Sequence, residues 1–206
     1  MEQQSVVFVV DDDAAVREGL TDLFQSVGLQ VKAFASAAEF LTTKRPSCPS
    51  CLVLDVRLPG MSGLDFQSEL AKANIHIPIV FMTGHGDIPM TVRAMKAGAV
   101  EFLTKPFRDQ DMLDAVHTGH EQDRRWREAE EAVLKLKSNF ETLTHREKEI
   151  VGLIVAGLVN KQIAGEIGVS EITVKVHRGS AMRKLGAKSV VELVQMAETL
   201  GIRQKR

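Results

Sequence analysis

The chain has 206 residues, 44% hydrophobic and 26% charged, which excludes wholesale disorder and suffices for one large or two modest domains with apolar cores. Its 26 basic and 27 acidic residues nearly cancel, yet residues 1–120 are net −5, residues 121–140 neutral and residues 141–206 net +4. An acidic front and a basic back predict two jobs, with any polyanion bound at the C-terminal end.

Short, almost purely apolar runs recur through the first half: Val6 to Val10, Val31 to Ala35, Leu52 to Leu54, Ile77 to Met82, and Phe102 to Leu103. They read as buried strands. Between them lie helically spaced sets such as Val16, Leu20, Leu23, Phe24 and Val27, then Phe66, Leu70 and Ala73, then Ile88, Val92, Met95 and Ala99. Alternation of this kind predicts an α/β domain: a doubly wound, five-stranded parallel sheet of flavodoxin-like order, with right-handed crossovers.

From His120 to Val151 there is neither Gly nor Pro, and Trp126, Ala129, Val133, Leu136 and Phe140 fall at steps of three and four. The pattern predicts a long connecting helix over 121–140, whose seam packs on a neighbouring domain or pairs with a second copy; two heptads fall short of a secure coiled coil. Four helices follow, over Leu143 to Ala156, Lys161 to Ile167, Glu171 to Leu185 and Ser189 to Leu200. Thr144 with Glu147 has capping-box spacing, Ser170 and Ser189 are N-cap candidates, and Gly157, Gly168 and Gly186 sit where helices should stop. A compact all-α domain over 141–206 is expected.

The first strand ends in Asp11-Asp12-Asp13 and the third in Asp55, followed by Leu58-Pro59-Gly60-Met61-Ser62-Gly63. In an open parallel sheet ligands bind beyond the C-terminal strand ends, at the switch point between the first and third strands. Carboxylates gathered there repel one another unless a proton or a divalent cation intervenes, and hard oxygen ligands with water point to Mg²⁺. Thr83 and Lys105, at the ends of the fourth and fifth strands, add a hydroxyl and an ammonium. Such a set suits phosphoryl transfer, with Asp55 as the nucleophile.

The runs Val9-Val10-Asp11-Asp12-Asp13, Leu54-Asp55-Val56-Arg57-Leu58-Pro59-Gly60, Met82-Thr83-Gly84 and Leu103-Thr104-Lys105-Pro106-Phe107 closely resemble the receiver domain of two-component response regulators over residues 5 to about 120. The resemblance implies that Asp55 accepts a phosphoryl group from a histidine kinase, that Asp12, Asp55 and the backbone carbonyl of Arg57 ligate Mg²⁺, and that Asp11 acts mainly through metal-bound water. It further implies that Thr83 and Lys105 contact the phosphoryl oxygens, and that Phe102 is the aromatic switch whose rotation alters the face used for dimerisation. Asp13 reads as a helix-start residue.

In the C-terminal part, Gly168-Val169-Ser170 separates two helices as in a helix-turn-helix, and the second helix carries Lys175, His177, Arg178, Arg183 and Lys184. A basic helix of this kind fits the DNA major groove. The runs beginning at Leu143, Gly157 and Ser170 strongly resemble the LuxR-type helix-turn-helix, and with the receiver the chain is similar to FixJ-type regulators of the NarL/FixJ group. That likeness implies DNA contacts by Thr173, Lys175, Val176 and Arg178, a backbone contact by Lys161, a phosphorylation-dependent homodimer on promoter DNA, and RNA polymerase as a further partner. At Gly179, one turn beyond Lys175, relatives place a longer side chain.

Other readings weigh less. Cys48-Pro49-Ser50-Cys51 has redox-dithiol spacing, but it enters the third strand, and two cysteines are too few for a disulfide framework. Met1-Glu2-Gln3-Gln4-Ser5 lacks the segments of a secretory signal, so a cytoplasmic protein is expected. Asp11 to Ala15 partly matches the D-x-D pattern of haloacid dehalogenase-like phosphatases and fails at the fifth position. A constitutive DNA binder with a vestigial receiver is the remaining rival.

Overall fold

The computed structural model describes residues 5–202; residues 1–4, where a targeting signal was sought, and the last four residues of the basic domain lie outside them. The chain divides into two compact units, Met1–Arg127 and Glu128–Arg206.

The first unit is a parallel sheet of order β2-β1-β3-β4-β5, with β1 Val6–Val10, β2 Gln30–Phe34, β3 Ser50–Asp55, β4 Ile79–Thr83 and β5 Glu101–Thr104. Helices α1 Ala14–Ser26, α2 Ala37–Thr42, α3 Gly63–Lys72 and α4 Ile88–Lys96 connect the strands, and α5 Asp109–Glu141 leaves the last one. The central strands are apolar throughout because alternate residues face opposite layers and both layers are covered. Val6, Phe8, Val10, Leu52, Leu54 and Phe81 pack with Phe40, Phe66 and Leu70. Their neighbours Val7, Val9, Val53, Val80 and Met82 pack with Leu20, Phe24, Met112 and Val116. Each such side chain withdrawn from water contributes about 1.5–3 kcal/mol.

The doubly wound sheet is the expected one, and its departures have local causes. β4 begins at Ile79 rather than Ile77 because Pro78 has no N–H to give the ladder; its carbonyl instead accepts from Leu52 N at 2.9 Å. Helix α2, too short for a periodicity signal, escaped the sequence reading, and so did the start of α5.

Gly119, just before the glycine-free run that starts at His120, lies inside α5. A Cβ there would stand 2.5 Å from Cys51 Sγ, so the glycine lets the helix touch β3. Past it, His120 Nε2 meets Val6 O at 3.1 Å, and Asp123 Oδ2 accepts from Ser50 N at 2.8 Å and from Arg127 Nε at 2.6 Å. Trp126 stacks on His76 with ring centroids 4.2 Å apart. Residues 121–127, read from sequence as linker, thus pack with the first unit, whereas Leu136 and Phe140 pack against the core of the second.

The second unit comprises α6 His145–Val155, α7 Asn160–Ile167, α8 Glu171–Leu185 and α9 Val190–Thr199. The capping box forms: Glu147 N donates to Thr144 Oγ1 at 3.2 Å and Thr144 N to Glu147 Oε2 at 2.7 Å. Ser170 and Ser189 accept from Thr173 N and Glu192 N. Gly168 and Gly186 end α7 and α8 at φ +69° and +79°, backbone conformations that side chains resist. Ile150, Ile163, Val174, Ala181 and Leu193 form the fully buried centre.

Candidate functional site

Strand register decides which side chains meet. Val10 lies opposite Leu54, Asp55 opposite Met82, and Thr83 opposite Thr104. Asp11, Asp55, Thr83 and Lys105 therefore reach the same C-terminal edge of the sheet. Lys105 Nζ lies 2.7 Å from Asp11 Oδ2 and 2.6 Å from Asp55 Oδ2, so one ammonium bridges two carboxylates that are both buried. Burial alone would lower the pKa of this lysine, but the hydrogen bonds and charges of Asp11 and Asp55 outweigh it and hold it above the ordinary value. At Asp11 burial prevails and raises the carboxyl pKa, against the opposing pull of Lys105.

The backbone completes the pocket. Asp55 Oδ1 accepts from Arg57 N at 2.8 Å and Asp11 Oδ1 from Asp13 N at 2.8 Å. A Cβ at Gly63 would fall 2.4 Å from the Asp55 carbonyl oxygen, so only glycine lets α3 start so close to β3. Arg17, not singled out from sequence, donates from α1 to the Asp11 carbonyl at 2.8 Å. Only its spacing six residues beyond Asp11 could have hinted at this. Asp13 caps α1 by accepting from Ala15 N at 2.9 Å, the helix-start role expected of it, and this removes the second aspartate a D-x-D phosphatase would need.

Asp12 is exposed beside the pocket. Among the described residues no three His, Cys, Asp or Glu side chains are grouped closely enough to hold a metal by themselves. The donor set nevertheless suits a hard dication, because two buried carboxylates already converge on one cation and the exposed Asp12 follows directly on Asp11.

Thr83 is fully buried; its Oγ1 accepts from His85 N at 3.3 Å. Phe102 is half-buried, with its ring 6.1 Å from that of Phe81. A Cβ on Gly86 would lie 2.9 Å from the Phe102 ring and 3.2 Å from Thr83 Cγ2, so the Thr83 methyl and the Phe102 ring pack against one bare stretch of backbone. Cys51, by contrast, is buried, and burial, reinforced by the charge of Asp123, pushes its thiol far above the ordinary range. A thiol so placed does not ionise for redox chemistry.

In the second unit α7 and α8 form the helix-turn-helix. Lys161, Lys175 and Val176 are exposed as a DNA-facing role requires, Val176 to 65%. Thr173 is half-buried, its hydroxyl 2.9 Å from Ser170 Oγ within the N-cap. Arg178 is the residue of the expected set most engaged inside the domain: its guanidinium donates to Asn160 Oδ1 at 3.1 Å, tying α8 to the start of α7. Lys184 is also withdrawn from any groove, bound to Glu147 at 2.7 Å and to Thr142 O at 3.2 Å. The outward face of α8 is thus Ile172, Lys175, Val176, Gly179 and Arg183. Glycine at 179, inside a helix and touching nothing, costs about 1 kcal/mol relative to alanine.

An acid and ammonium pocket on the edge of a doubly wound sheet, followed by a basic helix-turn-helix, defines a receiver-linked DNA-binding regulator. Residues 7–117 match the response regulator receiver domain, and residues 141–197 match the bacterial regulatory proteins of the luxR family. Nodulation protein W of Bradyrhizobium diazoefficiens is 61% identical over 199 residues, covering 97% of this chain and 88% of that protein. The transcriptional regulatory protein FixJ of Azorhizobium caulinodans is 42% identical, covering 98% and 96%. The solved structure of the response regulator StyR is 52% identical with a TM-score of 0.81, covering 95% of this chain and 98% of that one. The chain belongs to the two-component response regulators, in the FixJ-type branch of the NarL/FixJ group. It is a phosphorylation-controlled transcription regulator, not an enzyme, and the phosphatase and vestigial-receiver readings find no support. A histidine kinase and promoter DNA are the partners that this domain pair implies. No helix among the described residues is long and apolar enough to cross a membrane.

Proposed function

We propose that Asp55 is the phosphoacceptor and that its modification drives dimerisation and promoter binding, in the cytoplasm and with RNA polymerase as the eventual partner. The observation that carries this reading is the double ion pair of Lys105 with Asp11 and Asp55, a preformed charge balance that an added phosphoryl group would upset. The Asp55 Oδ2 oxygen attacks phosphorus, the O–P bond forms as the N–P bond of the kinase phosphohistidine breaks, and the electron pair leaves with the histidine nitrogen. Receiver domains typically use Mg²⁺ for phosphorylation; Asp12, Asp55 and the Arg57 carbonyl would hold it, with Asp11 acting through its water, and it would neutralise charge on the transferred group.

Lys105 then exchanges a carboxylate for phosphoryl oxygens, and the Thr83 hydroxyl supplies a second donor. Phosphorylation raises the local charge from about −1 to about −2, which favours the form in which both donors turn inward. Because Thr83 and Phe102 pack on the same Gly86 backbone, inward movement of the hydroxyl vacates space for the ring. We assign residues 1–120 to the receiver, 121–140 to the connecting helix and 141–206 to DNA binding, with contacts from Lys161, Thr173, Lys175, Val176 and Arg178.

The test is phosphoryl incorporation from acetyl phosphate with Mg²⁺, read together with sedimentation and promoter binding. Stoichiometric labelling, a shift to dimer and tighter binding are expected, all lost in Asp55→Asn. Labelling that survives in this variant, or promoter affinity unchanged by labelling, overturns the proposal.

A further inference from the structure

The receiver match ends at residue 117 and the luxR-family match begins at residue 141, yet residues 119–127, which belong to neither, grip the first unit. Their contacts fall on the opening residues of the strands that lead to the acid pocket. His120 Nε2 meets the carbonyl of Val6, the first residue of β1, and Asp123 Oδ2 accepts from the amide of Ser50, the first residue of β3. Val6 and Ser50 lie side by side in the sheet. Asp11 and Asp55 stand five residues further along the chain from Val6 and Ser50, about 17 Å away at roughly 3.3 Å per residue. Trp126 stacks on His76, just ahead of β4.

A grip of this kind is directional. Apolar packing holds two surfaces together without fixing an angle, whereas a hydrogen bond weakens when donor and acceptor turn out of line. Asp123 is fully buried and His120 is 4% exposed, and Asp123 Oδ1 has no hydrogen-bond partner among the described residues. A buried carboxylate with an idle oxygen stabilises a fold less than a well-packed aliphatic side chain. Adhesion alone therefore does not account for polar groups here, whereas the fixing of one register does. Arg127, the last residue of the first unit, donates to Asp123, and α5 runs on to Glu141 with no Gly or Pro after Gly119.

We propose that His120, Asp123, Trp126 and Arg127 form a directional clamp that fixes how α5 leaves the receiver, so that two phosphorylated chains present their DNA-binding units at one set spacing. These are positioning residues, with no part in phosphoryl transfer or in the dimer contact. The inference rests on the reading that phosphorylation yields a dimer on DNA. With the clamp open, each DNA-binding unit would move on its own tether, and its effective concentration at the second half-site would fall.

The probe is a duplex selected by the wild-type protein from a random-sequence library, together with the same duplex carrying about five extra base pairs between its half-sites, a displacement of about half a helical turn. Both are titrated against the full chain after acetyl phosphate treatment with Mg²⁺. Wild type should bind the lengthened duplex about tenfold more weakly or worse. Asp123→Asn and Trp126→Ala should label and dimerise as wild type does, bind the selected duplex about tenfold more weakly, and bind the lengthened one equally well. Their amides over 118–127 should exchange with deuterium about tenfold faster or more. Glu131→Pro, at an exposed position of α5 beyond the clamp, kinks the helix and should abolish the spacing dependence with exchange over 118–127 unchanged. Wild-type spacing dependence in labelled, dimeric Trp126→Ala or Glu131→Pro overturns the inference, as does wild-type binding indifferent to the insertion. Should Asp123→Asn fail to fold, the partly exposed Trp126 carries the test; loss of labelling or of the dimer in Trp126→Ala also overturns the inference, because the contacts then serve the receiver fold itself. A wild-type protein that stays monomeric when labelled, or selects no duplex with two half-sites, overturns instead the reading on which it rests.

Discussion

Glu147 offers a quantitative test of how the DNA-binding unit is held together. Its side chain is 4% exposed and pairs with Lys184, itself 33% exposed, at 2.7 Å. Burial would raise the carboxyl pKa, but Lys184, Ser180 and Thr144 overcome it and bring it from 4.5 to about 2. The full shift would be worth at most about 3 kcal/mol at neutral pH, and solvent screening at the half-open Lys184 reduces this to about 1–2 kcal/mol. Because the folded value lies below the unfolded one, the stabilisation is present above pH 4.5 and disappears as the pH falls towards 2. Glu147→Gln keeps an acceptor for Thr144 N and removes the charge. It should raise the opening constant of the α6 and α8 amides about tenfold at neutral pH in hydrogen–deuterium exchange, since about 1.4 kcal/mol is one decade. In urea unfolding the gap between variant and wild type should close as pH is lowered through that interval. Equal protection at neutral pH, or a gap that persists at pH 2, would refute this account.

In the first unit, Gly119→Ala should destabilise by about 1–3 kcal/mol through overpacking on Cys51 Sγ; adding Cys51→Ala should recover part of the loss in thermal unfolding. Ellman's reagent should titrate one thiol in the native protein, the half-buried Cys48, and two only after denaturation. His120 is held neutral by burial, with its pKa below the ordinary 6.5 despite the Val6 carbonyl. The unfolded chain takes up this proton first, so stability should fall as pH drops below 6.5, and His120→Gln should flatten that part of the urea-unfolding profile. Lys105→Met leaves two buried carboxylates without their shared cation; it should therefore lose phosphorylation-dependent dimerisation in sedimentation while retaining the Asp55 nucleophile.

Local signals carried much of the architecture. Strands such as Val6 to Val10, covered on both faces, advertise themselves by an unbroken apolar run, and caps such as Thr144 with Glu147 act over three residues, so both are legible without a fold. The acids and the lysine were legible as residues at strand ends. Amphipathic periodicity was silent for the start of α5, where Gly119 is a contact point inside the helix, and for the six residues of α2.

Sequence by itself determined the order of elements, the strand-end acids, the helix-turn-helix and the placement of charge, because these depend on neighbours a few residues apart. Tertiary structure alone decided that Lys105 bridges Asp11 and Asp55 across 94 and 50 residues, that Asp11 is buried while Asp12 faces solvent, and that Arg178 and Lys184 turn inward to Asn160 and Glu147. Those partnerships are set by strand order, register and helix crossing, through which distant charges come within hydrogen-bonding reach in a site where burial makes the pairing obligatory.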